Sequence, residues 1–157
     1  MEYLISMADF KLSFNESEQC ADLDLEYINQ TVPVDVETGN DLITSVIISL
    51  LSDRVADSDW TYTLDKRGWW GDAENSRLMG SSLWQLSVLP TANTQEYLMR
   101  AEGYANSALQ WLVDDNICKT VECVASFVDA RNTHLNLDIT LTKADSSVLR
   151  YSYVWDR

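Results

Sequence analysis

The chain has 157 residues, 46% of them hydrophobic and 23% charged, enough for one domain of this length to bury roughly 70% of its unfolded surface without disulfide or metal staples. Its net charge is −14, with 13 acids against 2 bases in residues 1–60 and 12 against 9 in residues 61–157. Binding to nucleic acid or an anionic membrane needs surplus Lys and Arg, so these partners are excluded and basic protein surfaces are favoured.

Phe10, Leu12 and Phe14 alternate with Lys11 and Ser13. After the polar "NESEQ" break, Leu23, Leu25 and Tyr27 alternate with Asp22, Asp24 and Glu26, which predicts an N-terminal β-hairpin. Val32, Val34 and Val36 extend the period of two, with Pro33 marking an edge or a strand start, and Gly39 and Asn40 end it. From Asp41 to Arg54 the period becomes helical, with Leu42, Ile43, Val46, Ile47, Leu50 and Leu51 on one face, Asn40 as N-cap and Asp41 in the first turn.

Residues 57–80 show no sustained period and hold three of the five glycines, so they read as a long ordered loop. "GSSLWQLSVL" fits either a short helix or a strand. A second helix is predicted over Thr94 to Val113, with Asn93 and Glu96 at capping-box spacing and Leu98, Ala101, Ala105, Ala108, Leu109 and Leu112 on one face. Asp114 and Asp115 sit unfavourably at its C-terminus, where Asn116 supplies a left-handed cap. The last third reads as a β-meander: Val121 to Phe127, Leu135 to Leu141 and Leu149 to Trp155, with turns at Asn132 and "KADSS". The class is α+β: an N-terminal hairpin, two main helices joined by a long ordered loop, and a C-terminal antiparallel meander, in a single domain over residues 1–157.

Chemistry is sparse. His134, the only histidine, falls on the polar side of its strand with no diagnostic neighbour. Cys20, Cys118 and Cys123 form no disulfide framework, which suits a reducing compartment. Cys118 and Cys123 are an odd number apart, which in one regular strand puts them on opposite faces and opposes joint metal binding. Asp57 and Asp59 begin an acidic loop that lacks the central glycine of a calcium loop, so no metal or cofactor is expected. "MEYLISMADF" has no basic region and no segment approaches a membrane span; synthesis and folding in a cytoplasm are expected.

"DKRGWWGD", residues 65–72, carries the strongest signal. Neighbouring side chains diverge on a helix or a strand, so one of Trp69 and Trp70 is expected in the core and the other at a neighbouring protein. Asp65, Asp72 and Glu74 surround the pair, and paired carboxyls beside aromatic rings would suit glycan cleavage. Capping carboxyls and loop-anchoring tryptophans explain the same residues more simply.

In order and spacing, "DKRGWWGD", "GSSLWQL", "AEGYANSALQWLVDD" and "YVWD" resemble the Mu-like phage baseplate wedge family, which belongs with the small lysozyme-like wedge and sheath-initiator proteins of contractile tails. The resemblance takes in the helix "DLITSVIISLLSDRVA" and nearly the whole chain. It implies a structural, non-catalytic virion protein: a wedge subunit of a six-fold baseplate, made in the host cytoplasm. The implied partners are other wedge proteins, the tail sheath, and the tail tube or hub. The matching positions are Arg67, Gly68, Trp69, Trp70, Gly71 and Asp72; Gly80, Leu83 and Trp84; Tyr104, Ala105, Trp111 and Leu112; and Tyr153, Trp155 and Asp156. The family often has basic residues after its LW pair, where this chain has "SVLP", and Gly where it has Asn116. Tyr151, Tyr153 and Trp155 make the last strand aromatic, and an exposed edge of that kind is expected to be covered or to pair with a partner strand.

Overall fold

The computed structural model describes residues 9–10, 12–15, 20–23, 25–28, 32–36, 38–39, 42–74, 77–89, 94–128 and 134–156, with backbone alone for 9–39, 74, 155 and 156. The chain divides into two units, Met1–Ile47 and Ile48–Arg157. In the first, six strands are described: β1 (Asp9–Phe10), β2 (Leu12–Asn15), β3 (Cys20–Leu23), β4 (Leu25–Ile28), β5 (Val32–Val36) and β6 (Thr38–Gly39). They pair antiparallel as β2 with β3, β4 with β5, and β1 with β6. The alternating run from Leu23 to Tyr27, expected as one strand, is shared between β3 and β4, with Leu23 opposite Leu12 and Leu25 opposite Val36. A register shift after Glu26 sets Tyr27 opposite Pro33, where the ladder loses a donor.

Helix α1 (Ile43–Leu51) is shorter than the predicted 41–54, and its expected caps, Asn40 and Asp41, lie outside the described residues. Val46, Ile47 and Leu50 are buried, as their spacing requires.

The second unit holds α2 (Thr94–Leu109), α3 (Trp111–Asp114) and a sheet of β7 (Cys118–Phe127), β8 (His134–Lys143) and β9 (Val148–Asp156) in the order β7-β8-β9, so helices and antiparallel meander make an α+β architecture. Leu135, Leu137, Ile139 and Leu141 project from β8 into the core, opposed by Cys123 and Ala125 of β7 and Tyr153 of β9. Ala101, Ala105 and Ala108 line the face of α2 that meets β7, where small side chains let helix and sheet approach closely. Tyr97 stacks on Phe127 with ring centroids 5.7 Å apart. His134 is exposed, as its strand position predicts.

The predicted second helix divides at Gln110 into α2 and α3; Leu112 is fully buried, and the Trp111 indole N–H reaches Ser49 Oγ at 3.0 Å. Asn116 does take the left-handed conformation, with φ of 60°. Ile117 N–H donates to Leu112 O and Asn116 N–H to Val113 O, satisfying carbonyls that the helix end orphans. The acids there are compensated: Arg77 bonds both oxygens of Asp115 at 2.8 Å and holds that carboxyl below the usual carboxylate range, and Gln110 donates to Asp114.

Two features of β7 are absent from the simple alternation. Its register shifts between Cys118 and Thr120, and this extra residue returns Cys118 to the core face, so both cysteines are buried, contrary to the opposite faces expected of an odd spacing. Burial, with Glu102 and Glu122 nearby, pushes the Cys123 thiol up to about 12. Alkylation of the native chain at neutral pH should therefore spare Cys118 and Cys123 until denaturant is added, read by intact and peptide mass spectrometry.

At the margin of the sheet, α2 does the work of a further strand. Asn106 Oδ1 accepts Cys123 N–H at 3.1 Å and Glu102 Oε1 accepts Ala125 N–H at 3.0 Å. Asn106→Ala leaves a part-buried donor unpaired, and urea unfolding should show a loss of about 1–3 kcal/mol; an unchanged midpoint would mean that water replaces the amide.

Candidate functional site

The loop that follows α1, residues 52–81, is held where its two ends meet. Arg54 N–H donates to Ser81 O (3.0 Å) and Ser81 N–H to Ser52 O (2.8 Å), forming a parallel bridge between Asp53 and Ser81. Ser81 is 2% exposed; its hydroxyl donates to Leu50 O, an end carbonyl of α1, at 2.6 Å and accepts Leu83 N–H. Gly80 makes this approach possible at φ of +91°, since a Cβ there would fall 2.4 Å from Ser52 O.

Trp84, in a 3₁₀ turn over Leu83–Ser87 that resolves the helix-or-strand ambiguity, is the anchor. It is buried, donates its indole N–H to Arg54 O at 2.9 Å, and meets the Trp60 ring edge-on at 5.3 Å. The Arg67 guanidinium lies 4.7 Å from the Trp84 ring centre and bonds Asp53 Oδ2 at 2.7 Å. Arg67 takes φ of 51°, with its N–H accepted by Asp65 Oδ1 two residues back. Lys66 donates to the carbonyls of Asp57 and Ser58 while its own carbonyl accepts Ala56 N–H. The "DKR" charges thus fasten the loop to itself.

Beyond Gly68 the chain reaches the tryptophan pair. Neither ring joins the core, contrary to the expectation for one of them: Trp69 is half-buried and Trp70 is 86% exposed. The rings lie 5.3 Å apart at 46°. Trp69 covers Gly71 so closely that a Cβ there would fall 2.3 Å from the ring, which fixes the indole against its own backbone. A 3₁₀ turn follows at Trp70–Glu74. Asp72 closes it, with its N–H on Trp69 O and its Oδ1 accepting Met79 N–H at 3.0 Å; among the described residues, the buried Oδ2 has no hydrogen-bond partner.

The remaining predicted positions are distributed through the second unit. Leu83 is half-buried, and Ala105 and Leu112 are core residues. Tyr104 donates to Gln85 Oε1 at 3.2 Å, and burial raises its phenol. Tyr153 is buried and Tyr151 half-buried in β9, where Trp155 and Asp156 are placed by backbone alone. Among the described residues no group of three or more His, Cys, Asp or Glu is arranged to hold a metal, and no helix is long and apolar enough to cross a membrane.

The family model for phage protein GP46 matches residues 42–148, from the start of α1 through the loop, α2, β7 and β8. The chain belongs to the phage GP46 family. It is 43% identical over 130 residues to "Baseplate protein gp46" of Escherichia phage Mu, covering 76% of this chain and 82% of that protein. It is 38% identical over 107 residues to "Mu-like prophage FluMu protein gp46" of Haemophilus influenzae, covering 68% and 71%. This GP46 member is a Mu-like phage baseplate protein of the virion.

Within the GP46 span, sequence reasoning found Arg67 to Asp72, Gly80 and Trp84 but missed Ser81, Asp53 and Trp60, which hold them. Serine and aspartate in a loop carry no periodic signal. Trp60 offered a compositional signal instead, being a further aromatic within the glycine-bearing stretch 57–80.

Proposed function

We propose that this chain is a structural wedge subunit of a contractile-tail baseplate, acting as one wedge domain over residues 1–157. It docks neighbouring wedge proteins in a six-fold arrangement around the tail tube and helps start the sheath. The observation that carries this reading is the 43% identity to the baseplate protein of phage Mu over most of both chains. The loop agrees with it: Arg67, Gly71 and Asp72 serve its architecture, while Trp70 points outward from a backbone tied at both ends. The Asp72 carboxylate, which glycan cleavage would require, has one oxygen committed to Met79 N–H. The partners are other wedge proteins, the sheath, and the tube or hub, with the loop and the aromatic β9 as docking elements.

The test is to tag the chain, purify intact tails from producing cells, and identify the proteins that accompany it. Wedge, sheath and tube proteins in fixed ratio are the expected result. Peptidoglycan turnover by the purified chain, lost in a folded Asp72→Asn or Glu74→Gln variant, would replace this reading with that of a muramidase.

A further inference from the structure

The sheet of the second unit runs β7-β8-β9, which leaves β7 at an edge, and the sequence there is one that edges usually avoid. Residues 123–128, "CVASFV", carry no charge, proline or glycine, and Val124 and Val128 are 48% and 62% exposed. A run of this kind, if its backbone were open, would be a template for another strand.

The backbone is closed instead. Cys123 and Ala125 turn their N–H groups away from β8, and α2 takes both: Cys123 N–H goes to Asn106 Oδ1 at 3.1 Å and Ala125 N–H to Glu102 Oε1 at 3.0 Å. Asn106 Nδ2 donates to Glu102 O at 2.8 Å and lies 3.5 Å from Cys123 O, so one side-chain amide faces both polar groups of Cys123, as a paired strand residue would. Ala101, Ala105 and Ala108 are buried on the same helix, the first two each one residue before a capping side chain. That stripe holds the helix on β7, which frees Glu102 and Asn106 to serve the strand edge.

The strand that suits this edge is a second β7. Laid antiparallel about Val124, two copies set Val124 opposite Val124, Cys123 opposite Ala125, Glu122 opposite Ser126 and Val121 opposite Phe127. No like charges meet in that register. Cys123 and Ala125 would exchange N–H and C=O across the join, and theirs are the donors that α2 holds. We propose that Glu102 and Asn106 form an autoinhibitory contact that keeps this chain from pairing with itself through β7. The contact acts in the free chain, so it stands apart from the wedge reading.

The test adds Val124→Cys at the centre of the expected pairing, in the parent chain and in a Glu102→Ala, Asn106→Ala double variant. Dimer linked at position 124 is read by peptide mapping after mild oxidation, beside analytical ultracentrifugation of the same chains without Val124→Cys. Across the join, position 124 is the closer, non-hydrogen-bonded kind of antiparallel pair, within reach of a disulfide. The parent should stay unlinked there, and the double variant should associate and link. Glu102→Gln is the control: its amide oxygen still accepts Ala125 N–H, so that chain should stay unlinked. Each single alanine variant frees one donor and should link at concentrations roughly tenfold above the double variant, about one hydrogen bond's difference. The single variants carry the test if the double variant does not fold. The proposal is overturned if folded alanine variants stay monomeric, if they associate without linking at position 124, if the parent links there as readily, or if Glu102→Gln links like Glu102→Ala.

Discussion

Trp84→Ala is expected to remove about 3–5 kcal/mol of stability, the usual cost of deleting a buried aromatic ring. Trp84 is 8% exposed and three groups depend on it: the Arg54 carbonyl that takes its N–H, the edge of Trp60, and the Arg67 guanidinium over its face. Against a typical total of about 5–15 kcal/mol, that loss takes a large part of the margin and lowers the melting temperature by roughly 10 °C or more. Trp84→Phe separates the contributions: it keeps most of the apolar ring and leaves the Arg54 carbonyl without its donor, for a cost of about 1–3 kcal/mol. Circular dichroism melts of the two variants check both figures. A Trp84→Ala chain melting within 2 °C or so of the parent would show that the loop is held from elsewhere.

What the sequence disclosed and what it hid divide by the range of the interaction. The meander was legible because Leu135, Leu137, Ile139 and Leu141 repeat every second residue on a sheet with one buried face. The alanine stripe of α2 and the left-handed Asn116 were legible for the same reason, each being set by its near neighbours. The bulge after Cys118 was not, because one extra residue changes the face of everything before it without altering composition. The tryptophan pair misled in an instructive way. Divergence of adjacent side chains was the right premise, but the ring that turned inward found Gly71 beside it rather than the core. Most of the described residues that matched the family motif bond or pack within the loop and the core, and the 86% exposed Trp70 was separable from the half-buried Trp69 only once burial was known. The stitch between Ser81 and Ser52 joins positions almost thirty residues apart through backbone groups, which have no sequence signature at all.

Gly80 and Gly103 make that last point testable, because the same substitution should act in opposite directions at the two sites. At Gly80 an alanine Cβ would meet the Ser52 carbonyl, a backbone group that cannot swing aside, and φ of +91° strains any residue with a side chain. Relief requires Gly80 to retreat from Ser52, which breaks the bonds of Ser81 to Ser52, Arg54 and Leu50 together. Backbone strain and overpacking each contribute about 1–3 kcal/mol, so Gly80→Ala should cost about 3–5 kcal/mol or prevent folding. Gly103 lies inside α2, and a Cβ there meets nothing within 4 Å. Gly103→Ala should therefore raise stability by about 0.5–1 kcal/mol through the lower entropy of the unfolded chain. Urea midpoints of the two purified variants give the comparison. If Gly80→Ala is as stable as the parent, the two ends of the loop are not held by this crossing, and the rigidity assigned to the Trp70 turn would have to come from Trp69, Gly71 and Asp72 alone.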